Sequence, residues 1–201
     1  MHCDSFLPFE RAHKLLEHYG DGAPWMKHCV AVSSLATFLS GIFALKYPVH
    51  VEFIRTASLL HDIGRWRTHD PIMHGVEGYK LLSGLGHANE ASICVSHIAY
   101  GLSSSEALHY GLPECEFIPQ SFEEMLIPLV DFLVEHDRPV SLKRRFASLR
   151  ERNRDNPFFI SKLDQAERKA QALMIQLNND FAISMEELAC DFFRRNCRSH
   201  K

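Results

Sequence analysis

The chain has no two cysteines at Cys-x-x-Cys spacing; its six, Cys3, Cys29, Cys94, Cys115, Cys190 and Cys197, are scattered over 201 residues. That argues against a disulfide framework and against a thiolate zinc site, and points to free thiols in a reducing compartment. No apolar run reads as approaching the roughly 20 residues that a membrane span needs. Met1-His2-Cys3-Asp4 lacks the basic start and apolar core of a secretory leader. The expected location is cytoplasmic, with no membrane partner. An excess of basic charge is missing too: the net charge is −3 with histidine neutral, which argues against a surface built throughout for nucleic acid. Strand-like alternation of useful length is also absent.

What is present is helical periodicity. After Pro24, suited to a first helical turn, Val32, Leu35, Leu39 and Ile42 form an apolar stripe that His28 joins. A second helix is expected over about Val51 to Leu60, stopping near Gly64, a residue able to take the left-handed conformation that ends helices. Residues 66–73 read as a polar loop. Helices follow over about His74 to Leu82 and Asn89 to His97, and Ser103-Ser104-Ser105-Glu106 reads as a capping sequence. Ser121-Phe122-Glu123-Glu124 opens a long apolar helix to about Glu135, with a kink expected at Pro128. Further helices follow Arg138. The fold class expected is all-α, a helical bundle.

The most informative stretch is His61-Asp62-Ile63-Gly64-Arg65, at the end of the apolar run Phe53 to Leu60. Imidazole nitrogen and ionised carboxylate are the ligand types that hold a borderline first-row divalent metal. Asp131 adds independent support. It stands inside Leu126-Ile127-Pro128-Leu129-Val130-Asp131-Phe132-Leu133-Val134, where an unpaired carboxylate would cost several kcal/mol. It needs a metal, a cation or strong donors; the plainer alternatives are a side chain turned to water or paired with arginine. Two more histidine–aspartate dipeptides, His69-Asp70 and His136-Asp137, read as loop and helix-end positions rather than ligands, though His69 could touch a substrate.

In order, His28, then His61-Asp62, then Asp131 resemble the HD-domain phosphohydrolase superfamily, and Leu60-His61-Asp62-Ile63-Gly64-Arg65 resembles its HDIG-type members. Arg65-x-Arg67-Thr68-His69, His74-Gly75-Val76-Glu77-Gly78, Ser96-His97-Ile98-x-x-Gly101-Leu102-Ser103 and Glu106-Ala107-x-x-x-Gly111-Leu112-Pro113, with Pro119 and Glu123-Glu124, are similar to one uncharacterised archaeal and bacterial HDIG subfamily. The resemblance covers about residues 20 to 137. It implies an HD-type phosphohydrolase domain, expected over 1–137; the resemblance does not reach 138–201, where chain length and helical pattern lead to the expectation of a helical C-terminal extension packed on the same domain. It also implies one metal on His28, His61, Asp62 and Asp131, and in two-metal members a second on Asp62, His74 and His97. Some two-metal relatives carry one more histidine beside the position of His97, where Ile98 stands here.

The reaction expected is hydrolysis of a phosphomonoester or phosphodiester, nucleotide-like, by a hydroxide activated on one or two divalent ions, iron, manganese or similar. Arg65 and Arg67 are candidate phosphate clamps, because guanidinium offers paired donors. Lys27 and Lys80 are second-tier candidates, with a solvated surface charge the plainer reading of each. His69 or His109 could protonate a leaving oxygen, and Tyr100 with Gly101 could shape the substrate pocket. Glu123 and Glu124 read as dipole-complementing charges with no defined partner. The alternative is an RNA- or partner-binding module with a structural metal, resting on Lys143, Arg144, Arg145, Arg150 and Arg152. A solvated helix face is the plainer account of that run.

Overall fold

A computed structural model describes residues 6–198; the leader reading on Met1 to Asp4, and Cys3, fall outside them. The described chain is helical apart from one small hairpin. In order it comprises α1 (Phe9–Gly20), α2 (Trp25–Phe43), α3 (Val51–Leu60), a 3-10 turn (Ile63–Trp66), α4 (Met73–Gly84) and α5 (Ala88–Ser96). A second 3-10 turn (Ile98–Tyr100), α6 (Ser104–His109) and α7 (Phe122–Phe132) follow. Then come β1 (Val134–Glu135), β2 (Arg138–Pro139), α8 (Leu142–Arg152), α9 (Pro157–Phe181) and α10 (Met185–Arg198). The all-α expectation holds.

Helix α2 runs through the centre. Its Val32, Leu35, Ala36 and Leu39 have no exposure, and it packs on α3 along one side and α7 along another. Contrary to the sequence reading, its 19 residues are long and apolar enough to cross a membrane by length and composition. Here that apolarity lines the protein core. Ser103 and Ser121 each accept a backbone N–H three residues on, while Glu106 and Glu124 reach back to the cap, so both are capping boxes. Glu124 therefore has a partner, and so does buried Glu123, which accepts the His50 N–H at 3.1 Å. Both facts correct the expectation of two unpartnered dipole charges.

Three boundaries differ from expectation. Gly64 does not end α3 by a left-handed turn: α3 stops at Leu60 and Gly64 lies inside the 3-10 turn. Its value is its missing side chain, since a Cβ there would overlap the His74 carbonyl oxygen and the Gly78 nitrogen. The turn thereby lies directly on α4. The polar segment after Trp66 is accordingly shorter than read, with α4 starting at Met73. Helix α7 ends at Phe132 instead of continuing to Glu135. The chain then makes a two-stranded antiparallel hairpin, Val134 opposite Pro139 and Glu135 opposite Arg138. Four residues of pairing carry too little alternation to be read as strands. His136 sits in the hairpin turn with a left-handed φ of 58°.

The contrast between two glycines tests this packing. Gly64→Ala should lower stability by about 1–3 kcal/mol through overpacking. Gly41→Ala, within α2 and with open space around a new Cβ, should raise it by about 0.5–1 kcal/mol. Calorimetric Tm values moving in opposite directions would bear this out; equal shifts would not.

Candidate metal centre

Five elements aim side chains at one buried point. Helix α2 carries His28, the end of α3 carries His61 and Asp62, the first turn of α4 carries His74, the end of α5 carries His97, and α7 carries Asp131. All six side chains are buried, with His61 at 0% exposure and Asp62 at 1%.

Each histidine hands its Nδ1 hydrogen to a main-chain carbonyl. His28 Nδ1 donates to the His136 carbonyl at 2.9 Å, and His61 Nδ1 to Ser58 at 2.7 Å. His74 Nδ1 donates to the Asp70 carbonyl at 2.7 Å, and His97 Nδ1 to Ile93 at 3.1 Å. In a neutral imidazole this leaves a lone pair on each Nε2. Those four atoms face the two carboxylates. His28 Nε2 is 2.8 Å from Asp131 Oδ1, His74 Nε2 is 2.9 Å from Asp62 Oδ1, and His97 Nε2 is 3.5 Å from the same oxygen. His61 Nε2 stands between them, 3.8 Å from Asp62 and 3.9 Å from Asp131.

Lone pairs directed at ionised oxygens repel unless a positive species lies between. His61 Nε2 and Asp62 Oδ1 are fully buried with no hydrogen-bond partner, a cost that few native groups bear without a reason. His28, His61 and Asp131 form one set whose donor atoms lie within 4.8 Å of one another, and His61, Asp62 and His97 form another. Neutral imidazoles with carboxylates suit a divalent transition ion, so the residues fit such a metal.

The charge states agree. Burial pushes the His61 imidazole down to about 4, against the pull of Asp62, so it stays neutral. Burial and the Arg65 charge lower His74 as well. Burial alone would raise Asp62 and Asp131. Instead the Arg65 guanidinium holds Asp62 well below the ordinary carboxylate range, and Arg145 does the same for Asp131. Arg65 donates through Nε to Asp62. Cys29, beside His28, is buried and its thiol is pushed up by that burial and by Asp62. It remains protonated, and the four cysteines with described side chains are all free.

The centre opens on a cleft of two lobes that share Asp62, Arg65, His69, Arg145 and Arg152. One lobe, about 260 Å³, continues over Ile98, Phe132, Leu149, Phe159 and Leu163; the other, about 430 Å³, over Pro24, Trp25, His28 and His136. Of the candidate substrate contacts, Arg65 and His69 line both lobes. Arg67 is exposed and lies 5.7 Å from the centroid of the Trp66 ring, Lys27 is exposed, and exposed Lys80 is 3.4 Å from Glu77. His109 lies against Tyr110 at the surface. None of these four lines the cleft. Tyr100 is buried and lines a separate apolar cavity between α7 and α9 with Phe122 and Leu173.

Two features escape a reading of the sequence. The dipeptides set aside as non-ligands serve the centre through their main chain: the Asp70 carbonyl orients His74, and the His136 carbonyl orients His28. Asp70 also caps α4, accepting the Ile72 and Met73 N–H groups at 2.8 Å. Arg145, grouped with a surface charge run, is buried and lies 3.5 Å from Asp131 and 3.7 Å from Glu135.

The depressed histidine gives a pH prediction for metal-free protein. Between about pH 4 and 6.5 the unfolded chain binds a proton at His61 that the folded chain refuses. Stability should therefore fall as pH drops through that window, by up to roughly 3 kcal/mol from this group. His74 acts in the same direction, and Asp62 and Asp131 add further losses below the ordinary carboxylate pKa. Denaturant midpoints of chelator-treated protein at several pH values check this; a flat profile from pH 7 to 4.5 would contradict it.

Comparison with known proteins adds a lineage. A family model described as the HD domain matches residues 25–131, more than half of the chain. An uncharacterized protein of Methanocaldococcus jannaschii is 38% identical over 130 residues, which are 64% of this chain and 76% of that protein. Two relatives carry the name tRNA (cytidine(56)-2'-O)-methyltransferase. The one from Thermoplasma volcanium is 32% identical over 65% of this chain, and the one from Picrophilus torridus 33% over 48%. The matched part is 37% and 28% of those two proteins, so this chain spans only about a third of their length. No solved structure matches significantly. A family model that follows the chain from the first turn of α2 to Asp131, and an archaeal relative aligned over most of its own length, make this protein a member of the HD domain family.

Proposed function

We propose that the protein is a metal-dependent phosphohydrolase acting on a small phosphate ester, with nucleotide-like compounds the first class to test. The observation that supports it is the set of four carbonyl-held imidazoles aimed at two depressed carboxylates, with His61 Nε2 and Asp62 Oδ1 left unpartnered. His28, His61, Asp62 and Asp131 would hold one divalent ion, and Asp62 with His74 and His97 a second. A transition metal such as iron or manganese, when bound, supplies Lewis acidity and lowers the pKa of coordinated water.

The chain's own residues do the rest. Arg65 holds Asp62 in place and keeps it ionised. The Phe159 and Leu163 side of the smaller lobe takes the organic group. His69, exposed at the junction of both lobes, is placed to give a proton to the leaving oxygen.

Purified protein should carry a divalent transition metal by elemental analysis, and chelation should abolish hydrolysis that added iron, manganese or cobalt restores. Asp62→Asn should lose metal and reduce kcat/KM at least about a hundredfold, since the charge stabilisation involved is several kcal/mol. Undiminished turnover by metal-free Asp62→Asn would end the hydrolase reading.

A second reading has a specific support. Two relatives are named for a tRNA modification, and α8 presents exposed Lys143 and Arg144 next to the cleft-lining Arg145. In that reading the protein binds RNA and the metal is structural. Neutralising Lys143 and Arg144 should then weaken RNA retention and flatten its salt dependence by about one unit for each phosphate no longer neutralised.

A further inference from the structure

Helix α8 lies beyond the residues that follow the HD model, yet it forms one wall of the cleft. Phe146, with no exposure, anchors it on α7, its ring centroid 4.6 Å from that of Phe132. Ser141 caps its start, accepting the Arg144 N–H. Arg145, Ser148 and Arg152 recur at i, i+3 and i+7 and so share one helix face.

Glu135, in β1, gathers all three. Its Oε1 accepts the Ser148 hydroxyl at 2.6 Å and lies 3.7 Å from Arg145 and 3.4 Å from Arg152. Arg145 and Arg152 both line both lobes of the cleft. Arg145 Nε is fully buried and has no hydrogen-bond partner. The Arg152 guanidinium is pulled down from its usual range by burial and by the charges of Arg145 and Arg65. Three guanidinium groups thus converge where two lobes meet. They are opposed by three carboxylates: Asp62, Asp131 and Glu135. A divalent cation shared by Asp62 and Asp131 would leave the cluster net positive and anion-seeking.

The arginines expected to hold phosphate are less suited. Arg65 commits its Nε to Asp62, and Arg67 is exposed outside the cleft. We propose that Arg145 and Arg152 form the clamp for the substrate phosphate, and that Glu135 is the positioning residue that sets their spacing. Guanidinium forks match phosphate oxygens in a way that a lysine point charge does not. The assignment rests on the phosphohydrolase reading and adds to it an anion site supplied by the C-terminal helices.

The test reads phosphate binding directly, by titrating inorganic phosphate into metal-loaded protein and its variants in a calorimeter, with the metal content of each measured. Arg152→Ala and Glu135→Gln should weaken phosphate about tenfold or more while keeping their metal. Arg145→Lys, which preserves the charge beside Asp131, should fall between these and wild type. Arg154→Ala, on the exposed side of the same segment, should stay within about twofold. In turnover, Arg152→Lys should recover part of the kcat/KM lost in Arg152→Ala, a rescue that a purely structural role would not give. Equal phosphate affinity across wild type, Arg145→Lys, Arg152→Ala and Glu135→Gln would overturn the clamp and leave the hydrolase reading standing. Metal-loaded wild type that neither binds phosphate nor turns over any phosphoester would overturn both.

Discussion

Everything at the centre depends on main-chain carbonyls taking the Nδ1 hydrogens of four histidines. A free imidazole can place its proton on either nitrogen, and only one choice leaves a lone pair facing the carboxylates. The carbonyls of Ser58, Asp70, Ile93 and His136 make that choice. Two of them, Ser58 and Ile93, are supplied by the helix the histidine itself terminates, three or four residues back. The other two come from the approach to α4 and from the hairpin turn after α7. The centre is therefore organised around the ends of α3 and α5, the approach to α4 and the hairpin turn; the Ile93 and Asp70 carbonyls, which also accept the N–H of the histidine they orient, serve two donors each.

That arrangement explains why so much charge can be buried together. Asp62 and Asp131 sit among apolar helices, where ionised oxygen without compensation would be severely destabilising. Arg65 and Arg145 each compensate one of them, and the His61 imidazole stays neutral, adding no further buried charge. Breaking one member leaves another buried group uncompensated, which costs more than the pair contributes. Gly64 allows the approach on which this depends, by letting the turn bearing Asp62 rest on the α4 backbone that carries His74.

The sequence shows the helices, the capping box at Ser103 and the unusual position of Asp131, because apolar periodicity, a capping pattern and a lone carboxylate in an apolar helix are side-chain signals. It also shows His61-Asp62 where a buried helix stops. What it hides is carried by the backbone or by distance. A carbonyl that orients an imidazole leaves no trace in residue type, so Asp70 and His136 look like ordinary loop residues. Arg145 is hidden by its neighbours: within Lys143-Arg144-Arg145 it reads as one charge of a solvated run. Phe146 packs against Phe132, and the neighbouring guanidinium lies buried beside Asp131 and Glu135. The hairpin of β1 and β2 is too short to leave an alternation, and α2 owes its membrane-like apolar length to packing on several sides.

The hairpin turn has a consequence for how this centre can drift over generations. The atom of His136 that steadies His28 belongs to the peptide, so the imidazole of residue 136 is free to be exchanged for any side chain that tolerates the same turn. A replacement compatible with that left-handed turn would keep the carbonyl in place while changing the wall of the larger lobe. An inserted or deleted residue between β1 and β2 would instead swing the carbonyl away and disorient a ligand on a distant helix. Family members should accordingly vary in letter at this spot while keeping the length of the turn.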